Sequence, residues 1–310
     1  MAVAVAFRSW APRRAAVASV GVATLGAAAF LLLTRPSRPP ATAIPAHVVD
    51  LRNGETLFHA GSCLACHKPP DDAPGLDRRL PSGGAPFATP AGIFYPQNLT
   101  PDAETGLGKW STADFVNAMR YGLSPRGTHY FPAFPYASYR AMTLEDLLDL
   151  RGFLRRLPAV VSPHREPGVP VAGLARRGVG LWKWIAFRHP PFSPDPARPA
   201  AWRRGAYLAN APGHCGECHT PKDRLMVADE RRHLAGGKHP GGEGKVPSLR
   251  GLLARGKYEG VSDLTLALQN GETLGYEHLS SGGMAAIQEN LARLPESDVR
   301  AISEYLLSLQ

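Results

Sequence analysis

The first feature of the hydrophobic pattern is a run without charge. From Ala15 to Leu33 the chain reads AAVASVGVATLGAAAFLLL, preceded by the basic FRSWAPRR and followed by the proline-rich TRPSRPPATAIPA. Eighteen or more such residues suffice to cross a bilayer as a helix, whereas the apolar core of a cleaved signal peptide is about 7–15 residues long. The preceding positive charge favours an N-terminus inside. The expectation is an anchor over 1–34 and a stalk over 35–46. The alternative is a long signal peptide cut after the ATA at 41–43. Both readings export the rest of the chain.

Beyond the stalk the pattern takes on helical spacing. In LEDLLDLRGFL, Leu147, Leu150 and Phe153–Leu154 recur at one-turn intervals and form one apolar stripe. A middle helix starts at the cap residue Ser111 and stops at Gly122, and the last helix follows Thr143. The same elements then recur. RNGETLFHAGSCLACH (52–67) aligns with RRGAYLANAPGHCGECH (203–219), with one residue inserted. WSTADFVNAMRYG (110–122) aligns with EGVSDLTLALQNG (259–271), which has Ser262 as its cap and Gly271 as its stop. LEDLLDLRGFL (144–154) aligns with ESDVRAISEYL (296–306), which puts Asp146 over Asp298 and starts the second last helix after Pro295. The fold class is therefore all-α: two copies of one helical domain, 47–158 and 201–310, joined by a connector at 159–200. That connector contains LWKWIAFRHPPFSPDP, in which Trp182, Trp184 and Phe187 are too apolar for a free tether. It is expected to pack across both domains, the alternative being a docking patch for a partner.

Composition sharpens this picture. A chain of 310 residues suits two domains, and 32 glycines with 30 prolines leave much of it in loops. Helices this short make small cores, so something should fill the centre of each domain. The net charge of +9 is uneven. Residues 1–46 carry five arginines and no acid, and residues 155–204 carry ten basic residues against Glu166 and Asp195. The rest is slightly acidic. Motifs that read nucleic-acid bases are missing, so nucleic acid is not the expected partner. The basic middle stretch reads as a solvated connector or as a face for anionic partners or lipid headgroups.

All four cysteines fall in the aligned GSCLACHKPP and GHCGECHTPK. A disulfide framework gives no reason for a histidine after each second cysteine. A thioredoxin-like pair would need a βαβ context. A four-cysteine zinc site would have to join two separate repeats. Covalent haem accounts for every feature: Cys63 and Cys66, and likewise Cys215 and Cys218, bond the two vinyl groups of one haem, and His67 or His219 reaches its iron. Two haem c groups would also supply the missing cores.

The stretches IFYPQNLTPDAETGLGKWSTADFVNAMRYG (93–122), FPAFPYASYRAMTLEDL (131–147), RRGAYLANAPGHCGECHTPKDRL (203–225) and GGMAAIQENLARLPESDVRAISEYLLSL (282–309) carry a family resemblance. The chain resembles dihaem members of the class I-like cytochrome c family, such as cytochrome subunits of bacterial membrane-associated dehydrogenases (alcohol, gluconate, and aldehyde or N-heterocycle oxidising types). The resemblance covers nearly everything from residue 50 onward. It implies two tandem cytochrome c domains and electron transfer on the periplasmic side of the inner membrane. It also implies a dehydrogenase catalytic subunit as donor and a quinone, cytochrome or oxidase as acceptor.

Electron-carrying cytochromes c commonly set methionine opposite the histidine. Met284 lies 65 residues past His219, in a glycine-flanked loop before the last helix, and is the distal candidate of the second domain. In the first domain, relatives often carry methionine where PAFPY has Phe134, which cannot ligate. The family pattern then points to Met142, with His129 or an open iron as alternatives. Met119 reads as core, Met226 as too close to His219, and Asp102 with Glu104 as turn chemistry. Asn98 and Arg78 are candidate propionate partners, and Trp110 and Tyr95 candidate haem-edge residues or core. Three functions follow: a non-catalytic electron carrier, a dihaem enzyme with one reactive haem (peroxidase-like or sulfur-compound oxidising), and a non-haem metal module.

Overall fold

A computed structural model describes residues 11–36, 44–89, 91–169, 172–239, 244–271 and 283–310. The ATA at 41–43, the N-terminal Arg8, most of the stalk and the residues leading into Gly283 lie outside them. The chain is helix-rich. It also contains two short antiparallel pairs that the all-α expectation omits: β1 (Phe87–Thr89) with β2 (Gly92–Phe94), and β3 (Gly237–Lys238) with β4 (Lys245–Val246).

Helix α1 (Ala11–Leu33) contains the uncharged run, and none of Ala15–Leu33 is buried. Among the described residues it is the one helix long and apolar enough to cross a membrane. A rise of about 1.5 Å per residue makes it roughly as long as a hydrocarbon core is thick.

The first unit contains α2 (Leu51–Ala60), α3 (Cys63–His67), α4 (Thr112–Tyr121), α5 (Tyr136–Tyr139) and α6 (Leu144–Leu154). Its helix ends follow local chemistry. Asp50 accepts from the amides of Arg52 and Asn53. Ser111 and Asp114 form a capping box, and Gly122 ends α4 at φ 57°, a conformation suited to glycine. Thr143 caps α6. The connector forms α7 (Ala172–Ala186). The second unit contains α8 (Ala200–Asn210), α9 (Gly216–His219), α10 (Val261–Asn270), α11 (Gly283–Leu291) and α12 (Glu296–Leu307). Two expectations are corrected here. Helix α10 begins at Val261 behind Gly260, so Ser262 lies in its first turn and does not cap it. Met284 sits in the first turn of a helix, α11, and not in a loop.

The sequence repeat is also a repeat of contacts. Helix α2 crosses α6, and α8 crosses α12, each at a glycine. A β-carbon on Gly54 would lie 2.3 Å from the Asp149 carbonyl oxygen, and one on Gly205 would lie 1.8 Å from that of Ala301. Asp149 and Ala301 each lie three residues past the aligned Asp146 and Asp298. Beside each crossing an equivalent polar pair closes. Asn53 donates to Asp146 at 2.7 Å, and Arg204 makes two 2.9 Å bonds to Asp298. Around the first crossing, Leu57, Phe58, Phe115, Met119, Leu147 and Leu150 form a core. Around the second, Leu208, Leu234, Leu252, Leu264, Val299 and Ile302 form another. Each core takes in one alanine of the other unit, Ala211 in the first and Ala60 in the second, so the two cores meet at a seam.

The connector touches both units. Trp182 Nε1 donates to the Leu225 carbonyl (2.8 Å) while its ring meets Tyr136 edge-on. Lys183 donates to the carbonyls of Tyr121 and Gly122 at the end of α4, and burial lowers its ammonium pKa to about 7.

Candidate metal centres

Each Cys-x-x-Cys-His is built the same way. The residue before the first cysteine, Ser62 or His214, has a left-handed backbone (φ 46° and 39°) that turns the chain into the motif. After the histidine, a glycine amide returns to its carbonyl: Gly83 to His67 at 2.7 Å and Gly236 to His219 at 2.6 Å. Both glycines have positive φ, 73° and 77°. A β-carbon on Gly83 would lie 2.5 Å from the Pro96 carbonyl oxygen, and one on Gly236 would lie 2.7 Å from that of Val246. This close approach brings in the next residue along, whose backbone meets the imidazole. Nδ1 of His67 donates to the Gln97 carbonyl (2.6 Å), and Nδ1 of His219 to the Pro247 carbonyl (2.8 Å).

A carbonyl can only accept, so each Nδ1 holds the proton and each Nε2 keeps its lone pair. Among the described residues neither Nε2 has a hydrogen-bond partner. Burial lowers both imidazole pKa values, with the carbonyl bond opposing, so the rings are kept neutral. A neutral ring oriented through its other nitrogen is what an iron-ligating histidine needs. The four cysteines are free thiols. Burial pushes Cys63 and Cys215 up to about 12, and raises Cys66 and Cys218. Among the described residues no three acidic, histidine or cysteine side chains gather as a metal site.

The two motifs lie side by side at the seam. Tyr139 meets His214 edge-on at 5.6 Å, and His214 Nε2 bonds the Gly61 carbonyl at 3.2 Å. Cys66 is within electrostatic reach of Cys218. Glu217, between the cysteines of the second motif, accepts from Ser138 of the first unit (3.1 Å) and from Lys222 (2.6 Å). Burial alone would raise its carboxyl pKa, but Lys222, His214 and Ser138 outweigh it and the net shift is downward. Across the same seam Tyr207 donates to Asp146 and accepts from the Thr143 amide.

The distal candidates differ in placement. Met142 is almost fully buried in the cluster that contains Cys63, Leu57, Phe58 and Tyr139. Phe134 packs on the same cluster, with its ring against Tyr130, Tyr136 and Tyr139. His129 is already engaged: Nε2 bonds the Thr34 carbonyl (3.1 Å) and Nδ1 faces Lys183 Nζ (3.0 Å). It therefore has no nitrogen to offer a metal. Met284 is half-buried at the start of α11, which packs on α10 and also on α2 and α3. Met119 is core, and Met226 is exposed.

The minor candidates have protein partners. Asn98 is buried and donates to the Val160 carbonyl (2.6 Å), and Arg78 pairs with Asp71. Asp102 accepts from the Thr105 amide (2.7 Å), the turn role expected of it. Trp110 packs on the first core, and Tyr95 lies under Arg165. Sequence reasoning missed Ser138, Tyr139, His214 and Glu217. A charge between the motif cysteines was the one available signal. It also missed the buried Asp149, which accepts from His47 (2.6 Å), the Asp50 amide and Asn53.

Paired thiols beside an imidazole with a free Nε2 are the donor set of covalent haem, and the residues fit it at both motifs. A chain with two such sets has the make-up of a dihaem c-type cytochrome. It is 36% identical over 295 residues to a diheme cytochrome c-type protein of Cereibacter sphaeroides, covering 95% of this chain and 97% of that one. It is 36% identical over 265 residues to a nicotinate dehydrogenase subunit of Pseudomonas putida, covering 84% of this chain and 21% of that one. It is 33% identical over 276 residues to the gluconate 2-dehydrogenase cytochrome c subunit of Pantoea cypripedii, covering 84% of this chain and 59% of that one. The chain thus spans about a fifth of the second relative and under two thirds of the third. No protein-family model matches it. The chain belongs to the dihaem c-type cytochromes, the family that includes cytochrome c subunits of fructose, gluconate and quinone-dependent alcohol dehydrogenases.

Proposed function

We propose that this chain is the electron-transfer subunit of a dehydrogenase complex on the periplasmic face of the inner membrane. It carries two covalently bound haem c groups, and the chemistry they supply when bound is one-electron transfer at iron. Residues 47–158 and 201–310 are read as class I-like cytochrome c domains, with 159–200 as the connector, 35–46 as the stalk and 1–34 as the membrane anchor. Cys63, Cys66, Cys215 and Cys218 hold the two groups through thioethers. His67 and His219 give Nε2 to the two irons, while the Gln97 and Pro247 carbonyls fix each ring. Met142 would be the second protein ligand of the haem held by Cys63, Cys66 and His67, a reading supported by its burial beside Cys63. Met284 would be the second protein ligand of the haem held by Cys215, Cys218 and His219, a reading that rests on its spacing along the chain.

The observation that carries the reading is the matched pair of neutral, carbonyl-oriented histidines in adjacent motifs. Adjacency gives electrons a short path between the two sites. No reactive substrate site is required, so the catalytic step falls to a partner, and the acceptor is a quinone, a cytochrome or an oxidase. The test is purification from membranes. A haem stain on a denaturing gel should mark the chain, and a co-purifying dehydrogenase should reduce both haems when given its substrate. A negative stain refutes the haem assignment. Rapid cyanide binding by one haem of the reduced protein would favour the dihaem enzyme over the carrier.

A further inference from the structure

Helix α7 has two faces of different character. One face packs on the body of the protein: Val179 is buried, Gly180 is buried, and Lys183 reaches the end of α4. The other face carries Leu181, Trp184 and Ile185 at 48%, 65% and 38% exposure, with Arg177 one turn before Leu181 and Arg188 one turn after Trp184. An exposed apolar stripe in a soluble connector needs a cover. The identity of that cover is indicated by where α1 ends. Trp184 Nε1 donates to the carbonyl of Leu33, the last residue of α1 (3.2 Å). The next residue, Thr34, is fully buried and its carbonyl accepts from His129. A β-carbon on Gly180 would lie 2.8 Å from the Thr34 carbonyl oxygen, so the junction is packed closely. The end of α1 is therefore seated directly on α7.

We infer that α7 lies in the headgroup layer of the membrane that α1 crosses. Leu181, Trp184 and Ile185 turn into the lipid, and Arg177 and Arg188 meet anionic headgroups. The inference rests on the reading of residues 1–34 as an anchor. A helix with an apolar stripe, cationic flanks and an indole whose N–H is hydrogen-bonded is suited to this layer. The surplus of basic residues in 155–204 adds attraction to an anionic surface. The consequence for function is orientation. Held at two places, α1 and α7, the two haem units take one face-on presentation to their redox partners, where a stalk alone would let them swing.

The test uses the haem-loaded full chain in liposomes of phosphatidylcholine and phosphatidylglycerol. With all four native cysteines bonded to haem, an Ile185→Cys variant has a single thiol for a nitroxide spin label. Reference labels go on Leu25→Cys, mid-way along α1, and on Leu266→Cys, an exposed apolar residue of α10 (72% and 56% exposed). Relaxation by oxygen, which favours lipid, is compared with relaxation by a water-soluble nickel chelate. The expected result is an oxygen-to-nickel ratio at 185 several-fold above that at 266 and shifted toward that at 25. Leu181→Cys should repeat it. A ratio at 185 equal to that at 266, with 25 still high, overturns the inference while leaving the anchor in place, and hands the stripe to a protein partner. A low ratio at 25 as well overturns the anchor and the α7 inference together.

Discussion

Gly205→Ala tests the helix crossing on which the second unit is built. The added β-carbon would sit 1.8 Å from the Ala301 carbonyl oxygen and 2.2 Å from its carbon. A carbon and a carbonyl oxygen normally approach to about 3.3–3.6 Å, so α8 and α12 would be roughly 1.5 Å too close. Both obstructing atoms are backbone, and no side-chain rotation relieves them. Overpacking costs about 1–3 kcal/mol, and a backbone-limited clash belongs at the upper end. Replacing a helical glycine by alanine returns about 1 kcal/mol. The net loss is then about 2 kcal/mol, which in a chain of this size, at an unfolding entropy of about 2.1 cal/mol/K per residue, is a fall in Tm of about 3 °C. Thermal scans of the haem-loaded chain by circular dichroism measure it. Gly54→Ala, where the closest approach is 2.3 Å, should fall less. Gly178→Ala, with nothing within 4 Å of the new carbon, should hold or rise. A Gly205→Ala Tm at or above that of the parent would refute the crossing, and so would a ranking in which Gly178→Ala costs most.

The remaining predictions concern the haem sites. Replacing Cys63 and Cys66 by alanine should halve the haem per chain in a pyridine haemochrome assay, and loss of both haems would undo the idea of independent sites. Met142→Ala and Met284→Ala should each convert one haem to high spin and remove its weak red-region Met–iron band, whereas His129→Ala should leave both bands. An unchanged Met142→Ala spectrum would return that residue to plain core. Glu217→Gln removes a half-buried negative charge from within the second motif, and a carboxylate there favours the ferric state. The midpoint potential of the second haem should therefore rise, on the order of tens of mV, in a spectroelectrochemical titration. A fall would reverse the assigned electrostatics.

What could be read from the sequence was what local chemistry encodes. Ser111, Thr143, Gly122 and Gly271 mark helix ends because caps and left-handed turns depend on a few neighbouring residues. The failures share a cause as well. Ser262 looked like a cap, but Gly260 lets α10 start two residues earlier. The acceptors that orient His67 and His219 are backbone carbonyls, for which a sequence has no letter. The contacts of the seam, such as Ser138 with Glu217 or His214 with Gly61, join residues 79 and 153 positions apart. No periodicity predicts such a pairing. The alignment did place Asn53 over Arg204 and Asp146 over Asp298, but that these become matching bonds beside matching glycine crossings emerges only in three dimensions.

The seam explains why the two units belong in one chain. Two cytochrome c units joined by a loose tether would exchange electrons only on collision. Here each core takes an alanine from the other unit, and Tyr207 and Glu217 of the second unit bond Thr143, Asp146 and Ser138 of the first. These partners lie beside the motifs themselves, so the same contacts that join the units hold the two haem sites at a fixed separation. The proximal sides are equivalent, and the asymmetry lies elsewhere: Phe134 and a buried Met142 in one unit, a half-buried Met284 on a bridging helix in the other, and the Glu217–Lys222 pair in the second motif alone. Were the two haems to differ in potential, these unmatched side chains are what would set the difference, and the seam would fix the distance across which it acts.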